Sequence, residues 1–118
     1  GRQRSFHEVV LSVFFGKALK MAQGHPYTHA HTVPLDLKPL ARQAVAAGYG
    51  RALSCRLEQA NTAREALDML LANRAEDLIR VVGRDVLNQA AKIVGERVAV
   101  RVLIFGYGGN LLLDLEGP

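Results

Sequence analysis

The chain has 118 residues, enough for one domain and too few for two. Its 49% hydrophobic and 22% charged residues are those of a folded globule, which excludes disorder as the default state. A net charge of +4 and a pI near 9.6 are too modest to establish nucleic-acid binding, and 6% aromatics with no Trp offer no obvious base-stacking platform.

Ser5 to Gln23 predicts the first helix. Ser5 and Glu8 have capping-box spacing, and Gly24 is a natural stop. Phe6, Val9, Val10, Val13 and Phe14 form one stripe, and Leu11, Phe15, Ala18, Leu19 and Ala22 extend it most of the way round. Only a sliver through Ser12, Gly16 and Gln23 stays small or polar, so this helix is expected to be buried on more than one side.

Gly24 to Pro34 reads as a loop, because Pro26 and Pro34 oppose a regular helix. Val33, Leu35 and Leu37 alternate with Pro34 and Asp36, which fits a short edge strand near 32–37. Lys38 to Ala47 predicts a second helix with Pro39 in its first turn and Gly48-Tyr49-Gly50 at its end. Arg51 to Glu58 alternates Leu53, Cys55 and Leu57 against Ser54, Arg56 and Glu58, and predicts a strand with one wet face.

A helical region runs from Asn61 or Thr62 to about Val94. Thr62 and Glu65 have capping-box spacing, Leu67, Leu70, Leu71 and Leu78 carry the apolar stripe, and a break or kink falls at Asn73 to Glu76. Arg97 to Phe105 and Leu111 to Leu115 form a closing hairpin through Gly106–Asn110. Helices and strands mix without a regular βαβ alternation. The expected class is therefore α+β: one small domain over 1–118 with an apolar N-terminal helix, a central strand, a long helical region and a C-terminal antiparallel hairpin.

The most distinctive chemistry lies in Gly24 to His31, where His25, His29 and His31 fall within seven residues. Neutral imidazoles ligate transition metals such as zinc, and an extended His-x-His points both rings to one side. Asp36 is the nearest acidic residue able to support such a site, and solvated loop histidines are the blander alternative. A second candidate is a basic stripe of Arg74, Arg80, Arg84 and Lys92 opposite the apolar face, with Arg2 and Arg4 as additions. It suits phosphates, but Asp77 and Asp85 lie on or beside it, and a salt-bridged helix surface explains it as well. Gly106–Asn110 precedes a strand and not a helix, so it reads as a turn and not a phosphate loop.

Cys55 is the only cysteine, which rules out an intramolecular disulfide and points to a reducing cytoplasm. On the apolar face of a strand it is expected to be a small buried hydrophobe. No apolar stretch approaches the roughly 20 residues that span a bilayer, so no membrane partner is expected. No signal peptide is visible, and a start at Gly1-Arg2 in place of Met fits either a trimmed chain or one that carries a tag remnant. The apolar first helix and Leu111-Leu112-Leu113-Asp114-Leu115 exceed what one small monomer is expected to bury.

Three functions follow. The first is a non-enzymatic, self-associating interaction or regulatory module, a homo-oligomer formed through helix one or the terminal strand edge, with a further protein partner allowed. The second is a metal-binding domain or small metal-dependent enzyme built on the histidines. The third is a nucleic-acid-binding domain built on the basic stripe.

Overall fold

The structure is a computed structural model and describes residues 7–24, 34–95 and 97–117. The elements, in chain order, are β1 (His7–Phe14), α1 (Phe15–Ala22), α2 (Lys38–Ala46), α3 (Arg51–Gln59), α4 (Ala63–Ala72), α5 (Glu76–Val94), β2 (Val98–Phe105) and β3 (Leu111–Glu116). The strands form one sheet in the order β1-β2-β3. β1 runs parallel to β2, from His7 opposite Val98 to Phe14 opposite Phe105, and β2 runs antiparallel to β3. The α+β class, an N-terminal helix, a long helical region and the C-terminal antiparallel hairpin are all present.

Three segments differ from expectation. Ser5 to Gln23 is not one helix: the described part is strand to Phe14 and helix from Phe15. A nearly continuous apolar run satisfies both periods, and the tie is broken by distant residues, because β2 supplies the backbone partners for β1. Val9, Leu11 and Val13 face the core, while Glu8, Val10, Ser12 and Phe14 face out. The central strand is β2. Arg51 to Glu58, expected to be that strand, is helix α3. Leu53 and Leu57 are its buried residues, and their i, i+4 spacing fits a helix as well as it fits alternation. Cys55 is consequently exposed on α3, not buried, and its sulfur accepts a hydrogen bond from Gln59 Nε2 at 3.6 Å. Residues 34–37 carry no strand, and Leu37 is the N-cap of α2.

The core lies between the sheet and the helices. α5 packs on β2 and β3, and α1 packs on α5 and α4. Phe15, Leu40, Leu57, Leu70, Leu78, Ile79, Val82, Val86, Val102 and Ile104 are fully buried. Phe15, Ala18, Leu19 and Met21 of α1 are covered within the chain, so α1 is not the surplus apolar surface expected of it. α5 approaches the hairpin closely at Gly83: a Cβ there would meet Leu113 Cδ2 well inside van der Waals distance.

The helix ends follow local chemistry. Thr62 Oγ1 accepts from Glu65 N–H at 3.0 Å and the Glu65 carboxylate accepts from Asn61 N–H at 2.9 Å, the anticipated capping box. α2 ends in a Schellman turn. Gly48 N–H donates to Val45 O, Tyr49 N–H donates to Ala44 O, and Gly48 takes φ 90°, where a side chain is unfavourable. The break expected at Asn73–Glu76 is a second such turn. Arg74 N–H donates to Leu71 O, Ala75 N–H donates to Leu70 O, and Arg74 adopts φ 54°. Leu70 and Ala75, both fully buried, supply the apolar contact that accompanies the motif.

Candidate functional site

β1 and β2 end side by side, Phe14 opposite Phe105. At that end β1 passes directly into α1, and β2 passes into the turn before β3. The two connections meet through Tyr107. Its hydroxyl accepts a hydrogen bond from Gly16 N–H at 2.9 Å, in the first turn of α1, where backbone N–H groups lack helical partners. Its ring stacks on Phe14, with centroids 5.7 Å apart and planes 13° from parallel. Gly16 allows this approach: a Cβ there would lie 3.1 Å from both Tyr107 Oη and Ala63 Cβ.

Around this pair is a pocket of about 380 Å³, lined by Phe14, Gly16, Lys17, Lys20, Leu35, Ala63 and Tyr107. Phe14 is 54% exposed and Tyr107 is half-buried, so the aromatic wall is open to a ligand. The Tyr107 hydroxyl spends a lone pair on Gly16, which leaves its proton to donate. The pocket thus combines an aromatic wall, an aliphatic floor and cationic or hydroxyl donors, the makeup of a site for an anion carried on an apolar body.

Among the described residues, none of the sequence-derived candidates lines this pocket. His25, His29 and His31 lie outside the described residues. Among the described residues no group of three His, Cys, Asp or Glu is placed to hold a metal ion. Asp36 is engaged elsewhere. Its Oδ1 accepts from Lys38 N–H at 3.0 Å at the start of α2, and its carbonyl accepts from Gln23 Nε2 at 2.9 Å. Arg80, Arg84 and Lys92 are exposed on α5, but Arg74 sits in the left-handed turn before it, so the four do not form one helical stripe. Asp77 accepts from the Tyr49 hydroxyl, which with burial holds that phenol above its ordinary pKa, and Asp85 accepts from Gln43 Nε2 at 3.3 Å. Gly106–Asn110 is a turn as expected, closed by Gly106 N–H to Asn110 O at 2.8 Å. Its aromatic residue nevertheless supplies half of the pocket wall. The missed signal was Gly16, a glycine in an apolar run, which usually marks a close approach.

Residues 27–114 match the family described as CbiD, C-terminal domain. The chain belongs to this family. Leu35, Ala63 and Tyr107 lie inside the matched segment, and Phe14, Gly16, Lys17 and Lys20 precede it. Over 111 residues the chain is 37% identical to a cobalt-precorrin-5B C(1)-methyltransferase of Nitratidesulfovibrio vulgaris, covering 93% of this chain and 28% of that protein. Proteins of the same name from Geobacter sulfurreducens and Citrifermentans bemidjiense are 30% and 37% identical, over 93% and 89% of this chain and 30% and 29% of theirs. The CbiD-family chain therefore spans less than a third of the length of the curated relatives it matches. No solved structure matches.

Family membership corrects the functional expectations. Curated relatives are named as methyltransferases, which overturns the reading as a non-enzymatic interaction module of unknown function. It equally overturns the metal-binding and nucleic-acid-binding alternatives and the expectation of a transition-metal cofactor such as zinc. The physical grounds for those readings were thin. α1 covers Phe15, Ala18, Leu19 and Met21 within the chain, and the basic residues are divided between a turn and a helix. No helix among the described residues is long and apolar enough to cross a membrane.

Proposed function

We propose that this chain is the C-terminal domain of a cobalt-precorrin-5B C1-methyltransferase and takes part in methylation of that macrocycle. The observation that carries the reading is identity of 37% across 93% of the chain to a relative of that name. Cobalt enters as part of the substrate. The expected co-substrate is S-adenosylmethionine, whose sulfonium gives up its methyl group to a nucleophilic carbon and leaves as a thioether. The protein's part in such a transfer is chiefly to hold donor and acceptor in line. The Phe14–Tyr107 pocket is the part of this chain suited to holding a substrate.

The test is a chimera in which this chain replaces the corresponding segment of the Nitratidesulfovibrio vulgaris relative. Gain of one methyl group on cobalt-precorrin-5B, read by mass spectrometry, supports the reading. A folded chimera that transfers no methyl group refutes it. A cytoplasmic location is supported by the exposed thiol of Cys55, which persists in a reducing compartment. Self-association through an exposed strand edge is the remaining partner expectation, and the solution mass of the chain decides it.

A further inference from the structure

We propose that the Phe14–Tyr107 pocket grips a peripheral carboxylate at the edge of the macrocycle, and does not hold the methyl donor. The inference rests on the methyltransferase reading but concerns a site that family membership does not assign. The cationic side chains of Lys17 and Lys20 line the pocket, and the Tyr107 hydroxyl has a proton to donate there. The hydroxyl oxygen accepts from Gly16 N–H, so its proton points away from that N–H and is left for an acceptor. A carboxylate meets that demand with acceptor-only oxygens, and charge-assisted hydrogen bonds to it are stronger than neutral ones.

The remaining surface is apolar. Phe14 presents an exposed ring, and Leu35 and Ala63 supply aliphatic contact. At about 380 Å³ the pocket holds one edge of a large ring system and not its whole. Charge argues against the donor. S-adenosylmethionine sets a sulfonium and an ammonium against a single carboxylate, a net charge of the same sign as Lys17 and Lys20, whereas a polycarboxylate macrocycle brings a net charge of the opposite sign.

The experiment titrates this chain with two cobalt macrocycles: cobyrinic acid, whose peripheral groups are carboxylates, and cobinamide, whose corresponding groups are amides. S-adenosylhomocysteine is the third probe. Equilibrium dialysis should show cobyrinic acid bound at least about tenfold more tightly than either of the others, with affinity falling as salt rises. Lys17→Gln should weaken cobyrinic acid several-fold and flatten the salt dependence, and Tyr107→Phe should weaken it while leaving the salt dependence unchanged. Equal binding of cobyrinic acid and cobinamide, preference for S-adenosylhomocysteine, no binding, or indifference to Lys17→Gln would each overturn the proposal. The chimera assay separates the two failures. Methyl transfer with an unchanged KM in Lys17→Gln sinks the carboxylate grip alone, whereas absence of transfer in the unmutated chimera sinks the methyltransferase reading.

Discussion

Tyr107 Oη accepts the backbone N–H of Gly16 at 2.9 Å, across 91 residues of sequence. One hydrogen bond thus fastens the hairpin turn to the first turn of α1 and fixes both walls of the pocket. The contact needs a residue without a side chain at position 16. Gly16→Ala places a methyl group 3.1 Å from Tyr107 Oη and Ala63 Cβ. Overpacking of about 1–3 kcal/mol then opposes a gain in helix propensity of about 1 kcal/mol. The expected net loss is about 1 kcal/mol by urea denaturation, with faster hydrogen exchange at the residue 16 amide. A variant as stable as the parent would show that the turn can move away freely.

Gly83 brings α5 against β3. Gly83→Val drives a branched side chain into Leu113, with Leu115 Cδ2 and Ile104 Cδ1 next nearest to the added Cβ at 3.5 and 3.7 Å. The expected cost is about 1–3 kcal/mol. Leu113→Ala alone should destabilise by about 2–5 kcal/mol through the cavity it leaves. Combined, the two should cost less than their sum, because the valine fills space the leucine vacated. Strict additivity in a double-mutant cycle would refute the contact.

Arg74 occupies a left-handed conformation that a glycine adopts without strain. Arg74→Gly should leave the α4–α5 turn intact and raise stability by roughly 1 kcal/mol, the usual order of the left-handed penalty. A lower thermal midpoint in the variant would contradict this.

Arg101 donates two hydrogen bonds to Asp114, at 2.8 and 2.7 Å, on the outer face of the sheet. The hydrogen bond from Arg101 holds the Asp114 carboxyl below its usual pKa. A carboxyl with a depressed folded-state pKa stabilises fully above its unfolded value, near 4, and that contribution is lost as pH falls through the folded value. Both side chains are more than a third exposed, so the effect is small and screened by salt. Urea midpoints of the parent and Asp114→Asn should differ most near neutral pH and converge below about pH 4. A separation that persists unchanged into strong acid would show that the ion pair is not its origin.

Much of the local structure was legible because local residues determine it. Thr62 and Glu65 announced a capping box, Gly48 a helix end, and Gly106–Asn110 a turn. The errors fell where two periods fit one run. Leu53 and Leu57 serve a strand or a helix equally, and only the packing of α3 against α2 decides. Val9 to Phe14 likewise carries no local mark that β2 will pair with it. The pocket was illegible for the same reason. Phe14 and Tyr107 are far apart in the chain, and no single segment contains the pattern they form.

The parallel pairing of β1 with β2 also sets an order of events. α2 to α5 lie between the paired strands, and neighbours such as α2 and α3 or α4 and α5 pack through short connections. Contacts of this kind form early, while distant pairings wait on loop closure. On the ribosome, at about 5–20 residues per second, β1 emerges on the order of ten seconds before its partner strand. Val10 and Phe14, exposed even in the finished fold, accompany an unpaired apolar strand throughout that interval. The helical block therefore begins to pack first, and the pocket closes only after Tyr107 leaves the tunnel and finds Gly16.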